Sequence, residues 1–211
     1  MRKVLIQEDV KLVEDKIKTF EANTGCELLV VVTDAADAYP AASWRFGVIS
    51  GFLIGLVFSY YFEFHHSLLW PICFLGLILF MTWIGHFSWA KKLALASWEV
   101  ERECKEKALE LFHTLGTSKV QHKVTAMIMV SILEKEIEVL VDEKLKTQLS
   151  DTDLKNLISI MQKHFVEGHM SLGLIQSIQS LEDKILKDFG GRVSEAFPGE
   201  LKDCIHFIHL D

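Results

Sequence analysis

The chain has 211 residues, with 22 Lys and Arg against 29 Asp and Glu for a net charge of −7, and its mean hydropathy is +0.24. That length supplies one domain core plus a smaller element. The acidic balance excludes nucleic acid, which calls for a basic face that displaces counterions, and argues against broad electrostatic adhesion to anionic lipid.

Met1-Arg2-Lys3 is followed by only three apolar residues, too few for a signal peptide. Residues 7–23 carry Val10, Val13, Ile17 and Phe20 at helical spacing, with Gly25 as the stop. ELLVVVT at 27–33 is a near-continuous β-branched run, the pattern of a strand buried on both faces. DAADAYP at 34–40 is a loop. Two uncharged runs then follow, FGVISGFLIGLVFSYYF at 46–62 and SLLWPICFLGLILFMTWIGHFSWA at 67–90, separated only by Glu63-Phe64-His65-His66. Each is near the length a helix needs to cross a bilayer, about 20 residues. A buried helical hairpin inside a soluble protein is the competing reading, disfavoured because both runs are apolar on every face.

Two spans leave both termini on one side. Arg45 precedes the first run, and Lys91, Lys92, Arg102 and Lys105 follow the second, while the connector holds no Lys or Arg. The expectation is therefore an inner (cytoplasmic) membrane protein with two spans, its soluble domain and both termini cytoplasmic. Trp44, Tyr60, Tyr61, Trp70, Trp83 and Trp89 lie toward the ends of the runs, where such rings favour the headgroup region. His86, the one ionisable side chain of the second run, is expected to reach the interface as a neutral group.

Beyond the runs, residues 94–115 read as a helix, 124–132 as a second buried strand and 137–141 as a third, returning antiparallel after the charged turn Leu133-Glu134-Lys135-Glu136. Ser150 and Asp151 are suitable N-caps for a helix closed by Gly168, and 171–187 form another. The fold class is thus α/β: a small mixed sheet flanked by helices and interrupted by a two-helix transmembrane hairpin. Its parts are the first portion of the domain at 1–43, the hairpin at 44–90, the rest of the domain at 91–189 and an irregular C-terminal tail at 190–211. Both ends of the hairpin are then tied to one sheet.

The order helix, GCELLVVVTDAADAYP, apolar hairpin, long helix, TAMIMVSILEKEIEVLVDEKL and a helical pair containing EGHMSLGLIQSIQSL resembles the TPM domain. This family is named for a thylakoid lumen protein, a photosystem-II-associated protein and a nematode receptor modulator. The nearest pattern is that of bacterial membrane versions in which the spans interrupt the domain. Val141-Asp142-Glu143 is similar to the stretch where a family strand ends on an acidic residue, and Phe197-Pro198-Gly199-Glu200-Leu201 to a C-terminal signature of the membrane subgroup. Lys119-Val120-Gln121-His122-Lys123 departs from the Thr, Arg and Gly of relatives. The resemblance implies the fold, and for some members a divalent cation site or an acid phosphatase activity.

Ligands of α/β sheets gather beyond the carboxyl ends of strands. Asp34 and Asp37 follow strand one, and Asp142 and Glu143 follow strand three. These four are the candidate ligands for a hard cation, Ca²⁺ or Mg²⁺, against the plainer reading of solvated turn carboxylates. Whether Asp142 emerges beside Asp34 is open at this stage. The cysteines at 26, 73, 104 and 204 lack paired metal spacing and read as free thiols in a reducing compartment. His206 and His209 form a weak HxxH hint, and His164 and His169 are too far around a helix to share a face. No phosphate cradle or nucleophile–base spacing marks an enzyme. The expectation is a membrane-anchored, non-enzymatic interaction or assembly module whose partners are the lipid bilayer and other membrane proteins or a second copy of itself. The competing expectation is a metal-dependent phosphatase acting on phosphomonoesters.

Overall fold

A computed structural model describes residues 7–61, 69–117, 124–189 and 205–208. The connector at 63–66, the departure at 119–123, the 197–201 signature, Cys204 and His209 lie outside these. The chain divides into two compact units, Met1–Ala36 with Glu103–Asp211, and Asp37–Arg102.

The first unit is built on a four-stranded mixed sheet of order β3-β2-β1-β4. β1 (Glu27–Thr33) lies between β2 (Thr125–Ser131) and β4 (His206–Ile208), parallel to both. β3 (Glu136–Val141) returns antiparallel on β2. Every residue of β1 and β2 is buried. Alternation sends Leu28, Val30, Val32, Ala126, Ile128, Val130, Ile137 and Val139 into one core. Onto that core pack α1 (Gln7–Thr24), α7 (Asp151–Val166) and α8 (Met170–Asp188), through Ile17, Phe20, Met161, Leu174 and Ile178 among others. The sheet's other face carries Leu29, Val31, Met127 and Met129, all buried. A π-helical turn (Phe112–Thr117) packs on β2, and Cys104, Ala108, Leu111 and Phe112 leading into it are buried as well.

Local chemistry fixes the boundaries. Gly25, with φ of 73°, closes α1 by donating its N–H to Glu21 O at 2.9 Å, a left-handed cap for which glycine is suited. The start of α7 is a capping box: the Ser150 side chain accepts from Asp153 N at 3.2 Å, and the Asp153 carboxylate accepts from Ser150 N at 3.0 Å. α1 and α8 are clamped by Glu182, a buried carboxylate that accepts from Lys16 Nζ at 2.6 Å and from Asn23 Nδ2 at 2.6 Å.

The structure differs from the sequence expectation in four places. The 190–211 stretch contributes β4 to the sheet rather than being wholly irregular. α6 (Glu143–Lys146) is a four-residue helix in a stretch to which the sequence pattern assigns no element. The long helix begins at Ser97, as α5 (Ser97–Leu111), and widens into the π turn at Phe112. The second apolar run is not one helix: α3 (Leu69–Ile84) stops at a turn over residues 85–87, and a separate α4 (Ser88–Ala94) follows.

In the second unit α2 (Pro40–Tyr61) packs along α3. Among the described residues α2 is the one helix long and apolar enough to cross a membrane, and the apolar stretch Trp70–Ile84 is shorter. The contact is made by small residues. A Cβ on Gly47 would come within 2.5 Å of Thr82 Cα, one on Gly51 within 2.9 Å of Ile78 Cα, and one on Gly55 would overlap the Phe74 ring. Ser43 Oγ donates to Gly85 O at 3.0 Å. The large side chains point the other way: Ile49, Phe52, Leu53, Leu56 and Val57 of α2 and Ile72, Leu75, Leu79, Phe80 and Trp83 of α3 are exposed.

Candidate functional site

Three parallel strands, β1, β2 and β4, end on the same edge of the sheet, at Thr33, Ser131 and Ile208. This is the edge at which α/β folds place ligands. Asp34 stands here, its N–H donating to Ile208 O at 3.3 Å and its carbonyl accepting from Leu133 N at 2.9 Å. Glu134, in the β2–β3 turn, is committed to holding the edge together: it accepts from Ala36 N at 2.9 Å and from the Ser131 hydroxyl. Lys135, with φ of 60°, completes that tight turn.

Asp142 and Glu143 are at the opposite edge. β3 runs antiparallel to β2, so its last residue, Val141, faces Ala126, and Asp142 donates its N–H to Thr125 O at 2.9 Å. A seven-residue strand separates this edge from Asp34, about 20 Å. There the Asp142 carboxylate caps α6, accepting from Glu143 N at 2.6 Å. Asp37 belongs to the other unit, and its carboxylate accepts from Tyr39 N at 3.0 Å in the turn that leads into α2. Asp34 is therefore not brought together with Asp142 and Glu143. Among the described residues no group of three or more His, Cys, Asp and Glu side chains is arranged to hold a metal ion. A Ca²⁺ or Mg²⁺ site shared by Asp34 and Asp142 does not fit this sheet.

His86 and His164 serve local structure. His86 Nδ1 lies 3.0 Å from Thr82 O, and His164 Nε2 lies 2.8 Å from Gln176 Oε1, bridging α7 and α8. Burial pushes the Cys26 thiol up to about 11; burial, with the carboxylates of Glu134, Glu136, Glu138 and Glu103 nearby, pushes Cys104 up to about 12. Thiols held so far above neutrality are poor nucleophiles. A groove of about 260 Å³ between α7 and α8 is lined by Asp153, Asn156, Ser180, Asp183, Lys184 and Lys187. Lys184 bridges Asp153 and Asp188 at 3.3 Å each, so the charges lining this groove are largely paired.

In the second unit the polar groups collect at the base of the helix pair. The Arg45 guanidinium pairs with Glu99, and Lys91 Nζ donates to Ala38 O at 2.8 Å. The Trp89 ring stands edge-on to Phe46 at 5.7 Å, and the Arg102 guanidinium lies over Trp98 at 5.3 Å. The glycine seam of α2 is a feature that hydropathy alone passes over. Its signal is visible in the sequence as Gly47, Gly51 and Gly55, spaced by four so that they line one helix face.

Residues 95–184 match the family described as the TPM domain, a stretch running from before α5 through most of α8. Among solved structures, the NMR structure of the BA42 protein from the psychrophilic bacterium Bizionia argentinensis is similar in fold. It superposes with a TM-score of 0.57 at 15% identity, covering 96% of this chain and 94% of that one. No curated protein sequence matches the chain.

Proposed function

We propose that this chain is a membrane-anchored α/β domain of the TPM type, working as a non-enzymatic interaction or assembly module on the cytoplasmic side of a bilayer. The observation that carries the anchor is the inverted distribution of side chains in the second unit. Glycine, serine and threonine fill the seam between α2 and α3, while Phe52, Leu53, Leu56, Leu79 and Phe80 face outward. In water that arrangement exposes the surface folding should bury; in lipid, small residues at the helix contact and large apolar ones outside are the favourable order. α2, with 22 residues, is about 33 Å long. α3, with 16, reaches about 24 Å, a shortfall that local thinning of the bilayer accommodates. Arg45, Lys91, Lys92, Arg102 and Lys105 favour a cytoplasmic base.

The module reading draws on how the strand-end carboxylates are used. Asp37, Glu134 and Asp142 each close a turn or cap a helix by accepting backbone N–H groups, so these acids hold loops in place. Membranes bearing the full chain should retain it through alkaline carbonate extraction; release into the aqueous fraction would overturn the anchor. A His65→Cys variant should react with an impermeant thiol reagent from outside intact cells, and protection there would reverse the topology. With Ca²⁺ or Mg²⁺ present, the purified chain should not turn over a generic phosphomonoester. Turnover that disappears in Asp142→Asn would replace the module with a phosphatase.

A further inference from the structure

Two residues other than glycine have a left-handed backbone among the described residues, Lys135 at φ 60° and Tyr39 at φ 49°. Lys135 is exposed in the turn between β2 and β3, where such a φ is ordinary. Tyr39 is placed differently. It is bulky and buried, and the ring of Pro40 after it favours an extended backbone at the residue before. It also stands at the entrance of α2, its carbonyl accepting from Ala42 N at 3.1 Å and Ser43 N at 3.4 Å, a position where the chain is ordinarily extended. Strain of this kind persists only where the surroundings impose it.

The groups that impose it are two opposite charges on one peptide plane. The carbonyl of Ala38 and the N–H of Tyr39 are the two ends of the plane between these residues. Lys91 Nζ of α4 donates to Ala38 O at 2.8 Å, and Asp37 Oδ2 accepts from Tyr39 N at 3.0 Å. A cation holds the oxygen and an anion holds the hydrogen, so both oppose reversal of the plane. Turning it over by about 180° moves only Ala38 ψ and Tyr39 φ, and takes the latter from 49° to about −130°, inside the extended region. The relaxed position is therefore one local rotation away, with α2 left in place. Lys91 reaches the plane while α4 is seated on α2. Its neighbours Ala90, fully buried, and Trp89, edge-on to Phe46 at 5.7 Å, hold that seat.

We propose that the Ala38–Tyr39 peptide plane is a two-position switch at the entrance of α2, set by the seating of α4. With α4 docked, Lys91 keeps the plane in its strained position. Displacing α4 from α2 removes Lys91, and the plane turns over. By reciprocity the strain at Tyr39 favours release of α4, so the entrance of the helix pair and the segment that follows α3 respond together.

Nuclear magnetic resonance on the full chain in detergent micelles tests this, because a residue with positive φ shows a strong Overhauser contact between its own amide and α protons. The parent should show it at Tyr39; a parent without it has no strained plane to release, and the proposal fails. Lys91→Met should abolish the contact and speed exchange of the Tyr39 amide about tenfold, the worth of one hydrogen bond. Ala90→Leu, which overfills the seat of α4, should do the same. The Ala42 and Ser43 amides should stay protected in both variants, since the Tyr39 carbonyl they bond lies outside the plane that turns. Lys92→Met, one residue along α4, should change nothing. The switch is overturned if Tyr39 stays left-handed in Lys91→Met. It is equally overturned if Ala42 and Ser43 lose protection, which is fraying of the helix rather than rotation of one plane. Retention of the contact in Ala90→Leu removes α4 as the input, and its loss in Lys92→Met reduces the effect to net charge; either result sinks the proposal.

Discussion

The two units of this chain obey opposite packing rules. In the α/β unit Val30, Ile128, Leu174 and Ile178 are inside, and most charged side chains are outside, Glu27 and Glu182 excepted. In the helix pair Gly47, Gly51 and Gly55 are inside, and Phe52, Leu53 and Phe80 outside. The same apolar side chains thus do different work. In one unit they leave water by meeting each other; in the other they are presented outward, and close approach of the backbones holds the helices together. An overall hydropathy average conceals this, because it counts residues without asking which way they face.

The comparison is broken most sharply by placing a charge in each unit. Val30→Asp buries an unpaired carboxylate in the central strand and should destabilise the α/β unit by more than about 4 kcal/mol, read as loss of cooperative unfolding in circular dichroism. Leu53→Asp changes a residue exposed in the second unit. It should leave the α/β unit's unfolding unaltered, yet disfavour membrane insertion by about 3 kcal/mol, measured as the soluble fraction after synthesis. If Leu53→Asp inserts as well as the parent, the outward face does not meet lipid.

Next in size is Gly51→Leu, whose added side chain meets the Ile78 backbone. Forcing α2 from α3 should cost about 3 kcal/mol, seen as lost protection of α3 amides in hydrogen exchange, with α7 and α8 unaffected. Glu182→Ala acts only in the α/β unit. It removes the charged partner of Lys16, which keeps its hydrogen bond to Gln179 and is partly exposed, so about 2 kcal/mol is expected rather than the larger value of a sealed pair, checked by urea unfolding.

The smallest effect belongs to the α7 cap, where Ser150→Ala should cost about 1 kcal/mol. Its pH dependence has a defined sign. The hydrogen bonds from Ser150 hold the Asp153 carboxyl below its ordinary value of 3.8, so the cap is at full strength above that value and is lost as pH falls through the lowered one. Lys184, whose contacts with Asp153 and Asp188 raise it above 10.5, contributes below that value and fades as pH rises past the raised one. The Ser150→Ala penalty should therefore shrink in acid, in a thermal melt series.

The main frame was legible because its signals are long or chemically specific. ELLVVVT announces β1, the N-cap candidates Ser150 and Asp151 announce α7, and the 3.6-residue stripes announce α1 and α8. What escaped was short or relational. β4 is three residues, too few to show a period, and is a strand only because β1 has a vacant edge beside Val31 and Thr33. α6 is a single turn. Asp34 and Asp142 could not be placed relative to one another, because order along the chain says nothing about which edge of a sheet a residue leaves from. Asp142 is set at the far edge from Asp34 by the antiparallel sense of β3, which strand patterns leave open. The break between α3 and α4 was hidden by uniform hydropathy, since Gly85 and Phe87 fit an apolar run as well as they fit a turn.

The pairing of β1 bears on how the molecule is made. Val31 has Met129 as one neighbour and His206 as the other, so this apolar strand leaves the ribosome before its partners, which are encoded far downstream. The helix pair is synthesised in that interval. During it, ELLVVVT is an unpaired, charge-poor β segment of the kind that recruits strands from other chains. Translation speed and chaperone supply, rather than the stability of the finished sheet, should govern the yield of this protein, and slowing elongation between residues 33 and 125 should lower that yield while leaving the melting temperature of the surviving molecules unchanged.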